Sequence, residues 1–360
     1  MLKTAVNDLF MKRCLELAKG GKGLTAPNPM VGAVLVDGDK IIGEGFHSCC
    51  GEAHAEVNAI NSVKNKELLK NSTLYVSLEP CSHHGKTPPC TELIIKSGIP
   101  KVVIATYDPF SEVAGRGVDM LQKAGIEVVT GIMAREAIEL NKYFMTAQCK
   151  HRPYIILKWA QSRDGFIDRI RTNDSEKPVK LSSSVTQIML HKLRSEVQAI
   201  MIGTNTAVLD NPELTVRHWS GKSPLRIAID LHQRIPENSR LFDGNHPTLV
   251  ISNHHSTANN LEYLKVAESP DFLKDILSLL YKRGINSVLV EGGASLHNSF
   301  IKNDLWEEIR IETAPFKLKA GVKAADIKNC EDLMLIEKKY ISYYHEKNEN
   351  QSILEVYRHV

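Results

Sequence analysis

His54, Glu56, Cys81 and Cys90 are the residues of this chain whose types and spacing best suit chemistry. One imidazole and two thiolates are the donors zinc prefers, in tetrahedral geometry. Three protein ligands leave the fourth corner to water, and a zinc-held water ionises near neutral pH. Glu56 stands two residues from His54, at the expected start of a helix. There it would sit beside the metal without ligating it. A carboxylate so placed can take a proton from the water and pass it to a ring nitrogen and a leaving amine.

His-x-Glu followed by Pro-Cys-x-x-Cys is the signature of zinc deaminases. The first half is intact here as His54-Ala55-Glu56, and Pro80-Cys81 opens the second. Eight residues, SHHGKTPP, then separate Cys81 from Cys90 where the signature has two. The insert must loop out and back so that Cys90 can start the helix TELIIKSG. It brings two rival ligands, His83 and His84. A closed structural site with Cys49 or Cys50 as fourth ligand is the competing arrangement, and it would make the chain a zinc-stabilised scaffold without turnover. The seven cysteines are odd in number and unevenly placed, and no secretion signal precedes them. A reduced cytoplasm, with cysteines as ligands rather than disulfides, fits that pattern.

The elements that must position these residues follow from periodicity. Leu9, Phe10, Cys14, Leu17 and Ala18 recur at helical spacing and predict an amphipathic helix ending at Gly20-Gly21. MVGAVLVDGDKIIGEGF reads as a hairpin about an Asp-Gly turn. AHAEVNAINSV, TELIIKSG, GVDMLQKAG and AREAIELNKYF read as helices, and TLYVSLEP, KVVIATYDP and IEVVTG as strands. Strands joined through helices predict a mixed or parallel sheet covered on both faces. This block spans 1–146. The polar stretch TAQCKHRP marks a linker at 147–153, and 154–360 reads as a second α/β domain. In it YIILKWAQS, VQAIMIG, LRIAID, PTLVIS, INSVLVEGG and EIRIETAP are strands, VTQIMLHKLRS and DFLKDILSLLYKRG are helices, and the C-terminus is a strand hairpin.

The whole chain of 360 residues, 42% hydrophobic and 24% charged, has the balance of a soluble globular protein with two domains. Net charge is only +3 and aromatics are 6%, so neither a phosphate-neutralising stripe nor a base-stacking platform is visible. That disfavours the alternative of a nucleoside or nucleic-acid deaminase with a degenerate second domain. Charges interrupt every apolar stretch near the N-terminus, which predicts neither a signal peptide nor a membrane span. A cytoplasmic location is expected.

PNPMVGAVLV, GEGFHSCCGEAHAEVNAI, YVSLEPCSHHGKTPPCTELII and DPFSEVAGRGVDMLQKAGIEVVTG together resemble the bifunctional deaminase–reductases of riboflavin biosynthesis, which carry the long insert between the two cysteines. The resemblance covers nearly the whole chain. It implies a cytidine-deaminase-like three-layer α/β/α domain followed by a dihydrofolate-reductase-like α/β domain. It implies hydrolysis of the 2-amino group of 2,5-diamino-6-(5-phosphoribosylamino)pyrimidin-4-one, then reduction of the ribosyl group to ribityl by NADPH. One zinc ion is expected per chain, on His54, Cys81 and Cys90, with Glu56 as proton shuttle. Asn28, His47 and Lys86 match substrate-binding positions. A homodimer or tetramer is expected by the same analogy.

The second domain offers weaker chemistry by itself. KWAQSRDG, GTNTAVLDNPELTVR and VLVEGGASL follow strands, where ligands bind in open α/β sheets. EGGAS before a helix could present N–H groups to a phosphate, though it is no GxGxxG fingerprint. By resemblance, Lys158, Ala160, Ser162, Asp164 and Gly165 form the reductase motif K-x-A-x-S-x-D-G. Ala160, Lys180, Thr206, Asp210 and the run Gly293, Ala294, Ser295, Leu296, His297, Asn298, Ser299 are then expected at NADPH. Arg194, Leu214, Arg217 and Glu291 are expected at the substrate, with the two arginines gripping the ribose 5-phosphate through charge-assisted bonds. Three positions depart from the family. Lys180 stands where a tryptophan is usual, Pro178 where a substrate-binding serine is common, and Arg163 where the residue is usually apolar.

Overall fold

The computed structural model describes residues 2–84, 88–110, 114–328, 330, 333–342 and 351–359. The chain divides into two compact units, Met1–His151 and Arg152–Val360. The first runs α1 (Leu2–Ala18), β1 (Gly32–Asp37), β2 (Lys40–Phe46), α2 (Ala55–Ser62), β3 (Thr73–Val76), α3 (Cys90–Lys96), β4 (Lys101–Ile104), α4 (Arg116–Lys123), β5 (Glu127–Thr130), α5 (Ala134–Leu140) and α6 (Lys142–Lys150). Its sheet has the order β2-β1-β3-β4-β5. The hairpin pair β1–β2 and the pair β1–β3 are antiparallel, while β3, β4 and β5 are parallel.

Both sheet faces are buried. Ala33 and Leu35 of β1 join a core with Ala59, Ile94 and Leu121 from α2, α3 and α4. Val34 and Val36 join a second core with Met11 and Ala137 from α1 and α5. A strand covered on both sides reads as a continuous apolar run, as MVGAVLV does. Glycines set how closely the helices approach. A Cβ on Gly45 would lie 2.3 Å from the Ala59 nitrogen, so β2 lets α2 rest directly on its backbone. In α1, Phe10, Met11, Cys14, Leu15 and Ala18 are buried, but Leu9 is 64% exposed. At about 100° per residue it falls opposite the centre of that stripe. The expected linker begins inside a helix: residues 147–150 form the last turn of α6, leaving 151–153 irregular. Polarity alone does not end a helix whose residues are competent to continue it.

The second unit runs β6 (Tyr154–Gln161), β7 (Phe166–Asp168), α7 (Ser184–Glu196), β8 (Ala199–Gly203), α8 (Thr204–Asp210), β9 (Leu225–Ile229), β10 (Thr248–Ser252), β11 (Ser256–Ala258), β12 (Leu261–Lys265), α9 (Phe272–Lys282), β13 (Ser287–Val290), α10 (Ala294–Lys302), β14 (Glu308–Thr313), β15 (Val322–Lys323), β16 (Leu333–Ser342) and β17 (Gln351–His359). Ten strands form one sheet in the order β11-β12-β10-β9-β8-β13-β6-β14-β17-β16. The seven from β12 to β14 are mutually parallel, so their C-terminal ends share one edge. Met201 and Val290 face a core shared with α9 and α10. Ile200 and Ile202, alternating with them, face Ala207 of α8. The C-terminal hairpin is the expected one, added antiparallel beside β14. Helix α8 and the small strands β7, β11, β12 and β15 are additions that the sequence pattern did not reveal.

Candidate active sites

His54 occupies the N-cap position of α2, and Glu56 lies in the first turn, 3% exposed. Cys90 is the first residue of α3. The insert is accommodated because α3 grips Cys81. The Cys90 amide donates to Cys81 Sγ at 3.2 Å, and Thr91 donates to the Cys81 carbonyl from its amide at 3.3 Å and its hydroxyl at 3.2 Å. Free amides at a helix start favour a thiolate.

His54 Nδ1 thereby lies 3.6 Å from Cys81 Sγ and 3.4 Å from Cys90 Sγ. A tetrahedral zinc with bonds of about 2.05 and 2.3 Å would set such atoms about 3.6 Å apart. Among the described residues these three form the group able to hold a metal, with ligand atoms within 4.8 Å of one another. Cys49 and Cys50 are not in it, so the closed four-ligand arrangement finds no support. His84 is turned to an exposed contact with the Glu92 carboxylate at 2.8 Å, and His83 lines the neighbouring cavity without joining the group. Without a metal the two sulfurs share their protons unequally. Cys90 and His54 pull Cys81 down to about 4, while Cys81 and burial push Cys90 up. Two adjacent thiolates need a cation between them. Burial, with the Cys81 sulfur, pushes the Glu56 carboxyl up to about 7.

A cavity of about 320 Å³ opens beside these residues, lined among others by Asn28, His47, Asp108, Phe110 and Phe144. His47 Nδ1 is 3.2 Å from the Ala53 carbonyl, which can only accept, so this nitrogen carries the hydrogen. Nε2 then accepts from Asn28 Nδ2 at 3.3 Å, and burial lowers the pKa of the ring. Lys86 lies outside the described residues. Sequence reasoning missed Glu79. Its buried carboxylate accepts from the amides of Asp108 (3.2 Å), Gly115 (3.0 Å), Gly117 (2.9 Å) and Val118 (3.2 Å), and so ties the Asp108 loop to the cavity wall. Its place between Leu78 and Pro80-Cys81 was the only signal.

In the second unit a cleft of about 920 Å³ runs along the C-terminal ends of the parallel strands. Ala160, Lys180, Thr206, Asp210, Glu291, Gly293, Ala294, Ser295, Leu296, His297 and Ser299 all line it. Asn298 does not: its Oδ1 accepts from the Asp326 amide at 3.2 Å. The glycine pair shapes the wall. A Cβ on Gly292 would lie 2.6 Å from Ile202 Cα, and Gly293, at φ +64°, would bring one 3.2 Å from Thr206 Oγ1. Backbone is therefore open to a ligand there. His297 Nε2 pairs with the Val290 carbonyl at 3.1 Å, leaving Nδ1 buried with no hydrogen-bond partner. Such a volume, a glycine cradle and an orphaned acceptor fit a dinucleotide.

The phosphate grip expected of Arg194 meets a physical obstacle. Arg194, 8% exposed, donates twice to Glu291 at 2.7 Å and once to the Thr215 carbonyl at 3.0 Å. Neither Arg194 nor Leu214 nor Arg217 lines the cleft. Leu214 is 2% exposed, and Arg217 pairs at the surface with Glu213 at 2.6 Å. Burial opposes ionisation of Glu291, yet Arg194 outweighs it and holds the carboxyl below its usual range. Within the reductase motif, Asp164 is a loop clamp. It accepts from Ser162 Oγ at 2.6 Å and from the amides of Leu318 and Lys319 at 3.0 and 2.8 Å. Asp210 is paired with Arg171.

Comparison with known proteins supplies the context. Residues 5–106 match the cytidine and deoxycytidylate deaminase zinc-binding region, and residues 153–326 match the RibD C-terminal domain. The chain is 42% identical over 320 residues to riboflavin biosynthesis protein RibD of Bacillus amyloliquefaciens, covering 86% of this chain and 85% of that one. It is 40% identical over 344 residues to the Aquifex aeolicus protein of the same name, covering 93% and 95%. A crystal structure from Thermotoga maritima superposes with a TM-score of 0.86 at 34% identity, covering 99% of this chain and 100% of that one. That protein is described as a diaminohydroxyphosphoribosylaminopyrimidine deaminase/5-amino-6-(5-phosphoribosylamino)uracil reductase.

Proposed function

The chain belongs to the RibD family of bifunctional riboflavin-biosynthesis deaminase/reductases, and from that premise we propose how its own residues divide the two reactions. The first unit is the zinc deaminase, the second the NADPH-using reductase. The substrate we assign to the deaminase is 2,5-diamino-6-(5-phosphoribosylamino)pyrimidin-4-one, and to the reductase the resulting 5-amino-6-(5-phosphoribosylamino)uracil.

In the deaminase, His54, Cys81 and Cys90 hold the metal. Zinc there supplies Lewis acidity that makes water nucleophilic near neutral pH. Glu56, buried in the first turn of α2, takes one proton from the attacking water and gives it to the ring nitrogen, then takes the remaining proton from the hydroxyl added to the ring carbon and gives it to the amino group, which leaves as ammonia. His47, held by Ala53 and Asn28, orients the pyrimidine. Glu79 holds the Asp108 loop as the far wall. Lys86 is assigned to the substrate by resemblance alone.

In the reductase, NADPH supplies hydride to the sugar. Gly293, Thr206 and the start of α10 cradle it, and His297 Nδ1 offers an acceptor. Glu291 keeps lone pairs free beyond its two bonds to Arg194 and accepts from the ribose hydroxyls. Arg194 is then a positioning residue for Glu291. Arg217, whose exposed pair with Glu213 exchanges at little cost, is assigned to the 5-phosphate by resemblance alone, since it does not line the cleft.

The observation that carries this reading is the convergence of His54, Cys81 and Cys90, separated by 27 and 36 positions, beside a buried Glu56. A coupled assay tests it, following ammonia release from the diaminopyrimidine phosphate and then NADPH oxidation. Glu56→Gln should lower ammonia release by about 10²- to 10⁴-fold with zinc content unchanged. Wild-type release by that variant would refute the shuttle.

A further inference from the structure

We infer that Glu312, a buried acid behind the wall of the second cleft, positions the Lys158 cation at the sugar end of that cleft and so serves the reduction without touching a ligand. The inference rests on the reading of Glu291 as the acid that binds the sugar. Strand register sets the arrangement. β14 lies beside β6 in parallel, with Arg310 opposite Lys158 and Glu312 opposite Ala160. Side chains alternate along a strand, so these four share one face, while Leu157, Trp159, Ile309 and Ile311 fill the core on the other. Lys158 and Ala160 line the cleft, and Glu312 does not.

An acid only 1% exposed needs partners. Ser182 Oγ donates to its Oε2 at 2.6 Å, and Thr186 Oγ1 to its Oε1 at 2.6 Å. Those are the lengths of hydroxyls on a charged carboxylate. Both donors are neutral, so neither answers the charge. Lys158 does, with Nζ 3.8 Å from Oε2 and the two side chains 12% and 2% exposed. That separation is ionic attraction without a hydrogen bond, which leaves the donors of the ammonium to a ligand in the cleft.

The neighbouring charges are already matched. Arg310 donates to Glu308 at 2.6 Å. Glu291 follows β13, on the other side of β6, and takes two bonds from Arg194. Two ion pairs therefore flank β6, and helix α7 braces both. Thr186 in its first turn grips Glu312, and Arg194 in its last turn grips Glu291. The Lys158 charge is felt at the cleft. Burial opposes ionisation of Glu291, but Lys158 adds to Arg194 in holding that carboxyl below its usual range. Lys158 also joins burial, the larger cause, in lowering the pKa of His297. With Glu312 neutral, the ammonium would be answered by Glu291 alone and drawn towards it, away from the sugar.

Variants of the whole enzyme test this. Glu312→Gln removes the charge but keeps a partner for each hydroxyl, whereas Glu312→Asp keeps the charge and shortens the reach. Glu312→Gln should lower kcat for NADPH oxidation by about 10- to 100-fold, with KM and the Kd of NADPH within about threefold. Glu312→Asp should lose less than Glu312→Gln, and a purely structural acid would give the reverse order. Adding Glu312→Gln to Lys158→Met should cost no further activity, because the acid acts through the lysine. Brief acetylation of the enzyme without cofactor, read by mass spectrometry, follows the charge directly. Only the neutral amine reacts and a nearby anion favours the ammonium, so Lys158 should react about tenfold faster in Glu312→Gln while Lys180 is unchanged. Melting temperature shows whether Glu312→Gln folds. If it does not, Glu312→Asp provides the check, since Lys158 should stay as unreactive there as in wild type. Wild-type kcat in Glu312→Gln, additive losses in the double variant, or unchanged acetylation of Lys158 would overturn the inference alone. Wild-type kcat and KM in Glu291→Gln would sink the reading of the sugar end, and the inference with it.

Discussion

Removing Arg194 should destabilise the second unit far more than it should weaken contact with a phosphate. Its guanidinium makes two charge-assisted bonds of 2.7 Å to Glu291, between side chains only 9% and 11% exposed. Each such bond contributes about 1.5–3 kcal/mol, and a buried carboxylate stripped of its cation costs about 3–5 kcal/mol. Arg194→Met should therefore lower the stability of this unit by about 3–5 kcal/mol. With a urea slope of about 2 kcal/mol/M, the midpoint falls by roughly 2 M. Glu291→Leu made alone strands the cation instead, and the double variant should recover at least about 2 kcal/mol relative to the sum of the singles. Tryptophan fluorescence reads this unit alone, since Trp159, Trp219 and Trp306, the three tryptophans of the chain, all lie within it. The coupling also has a pH signature. The carboxyl of Glu291 is held below its ordinary value, so the stabilisation is present above about 4.3 and lost as pH falls through the folded value. A coupling below about 0.5 kcal/mol, with substrate affinity lost in Arg194→Met at unchanged stability, would refute the reasoning and return Arg194 to the phosphate.

Cys90→Ser should reduce bound zinc well below the one ion per chain expected of wild type, measured by atomic absorption after dialysis, because a hydroxyl does not ionise to replace the thiolate. Burial holds the His297 imidazole down to about 4. The unfolded chain then takes up the extra proton first, so stability of the second unit should fall as pH drops from about 6.5 towards 4, by at most about 3 kcal/mol. Urea midpoints should show that decline, flattened in His297→Gln. Lys180 lines the cleft where the family expectation is an aromatic face. Lys180→Trp should tighten NADPH by about 2- to 12-fold, the equivalent of 0.5–1.5 kcal/mol of ring stacking, in a fluorescence titration. Unchanged affinity would place the cofactor ring elsewhere.

Local pattern was enough for much of the architecture. Alternating and continuous apolar runs announced the strands of the first sheet and all but β11 and β12 of the ten-stranded one, and the donor types of His54, Cys81 and Cys90 announced zinc before any distance was known. Those signals are legible because periodicity and ligand chemistry are properties of residues near one another or of their side chains alone. Leu9, Asp230 and Arg194 show the limit. Composition leaves the setting of each one open: Leu9 lies exposed on its helix, Asp230 is buried against backbone amides, and Arg194 is bound to Glu291. What each one does depends on which partner the fold brings to it. Asp230 meets amides four and five residues on, and Arg194 meets a carboxylate 97 residues away. Glu79 is the converse, unremarkable in sequence and essential to a loop 29–39 residues distant. Sequence by itself determined what kinds of atoms were available, while tertiary structure alone decided which charges were already satisfied. The Coulomb and hydrogen-bond energies that settle that question depend on separation in space and on burial, neither of which spacing along a chain records.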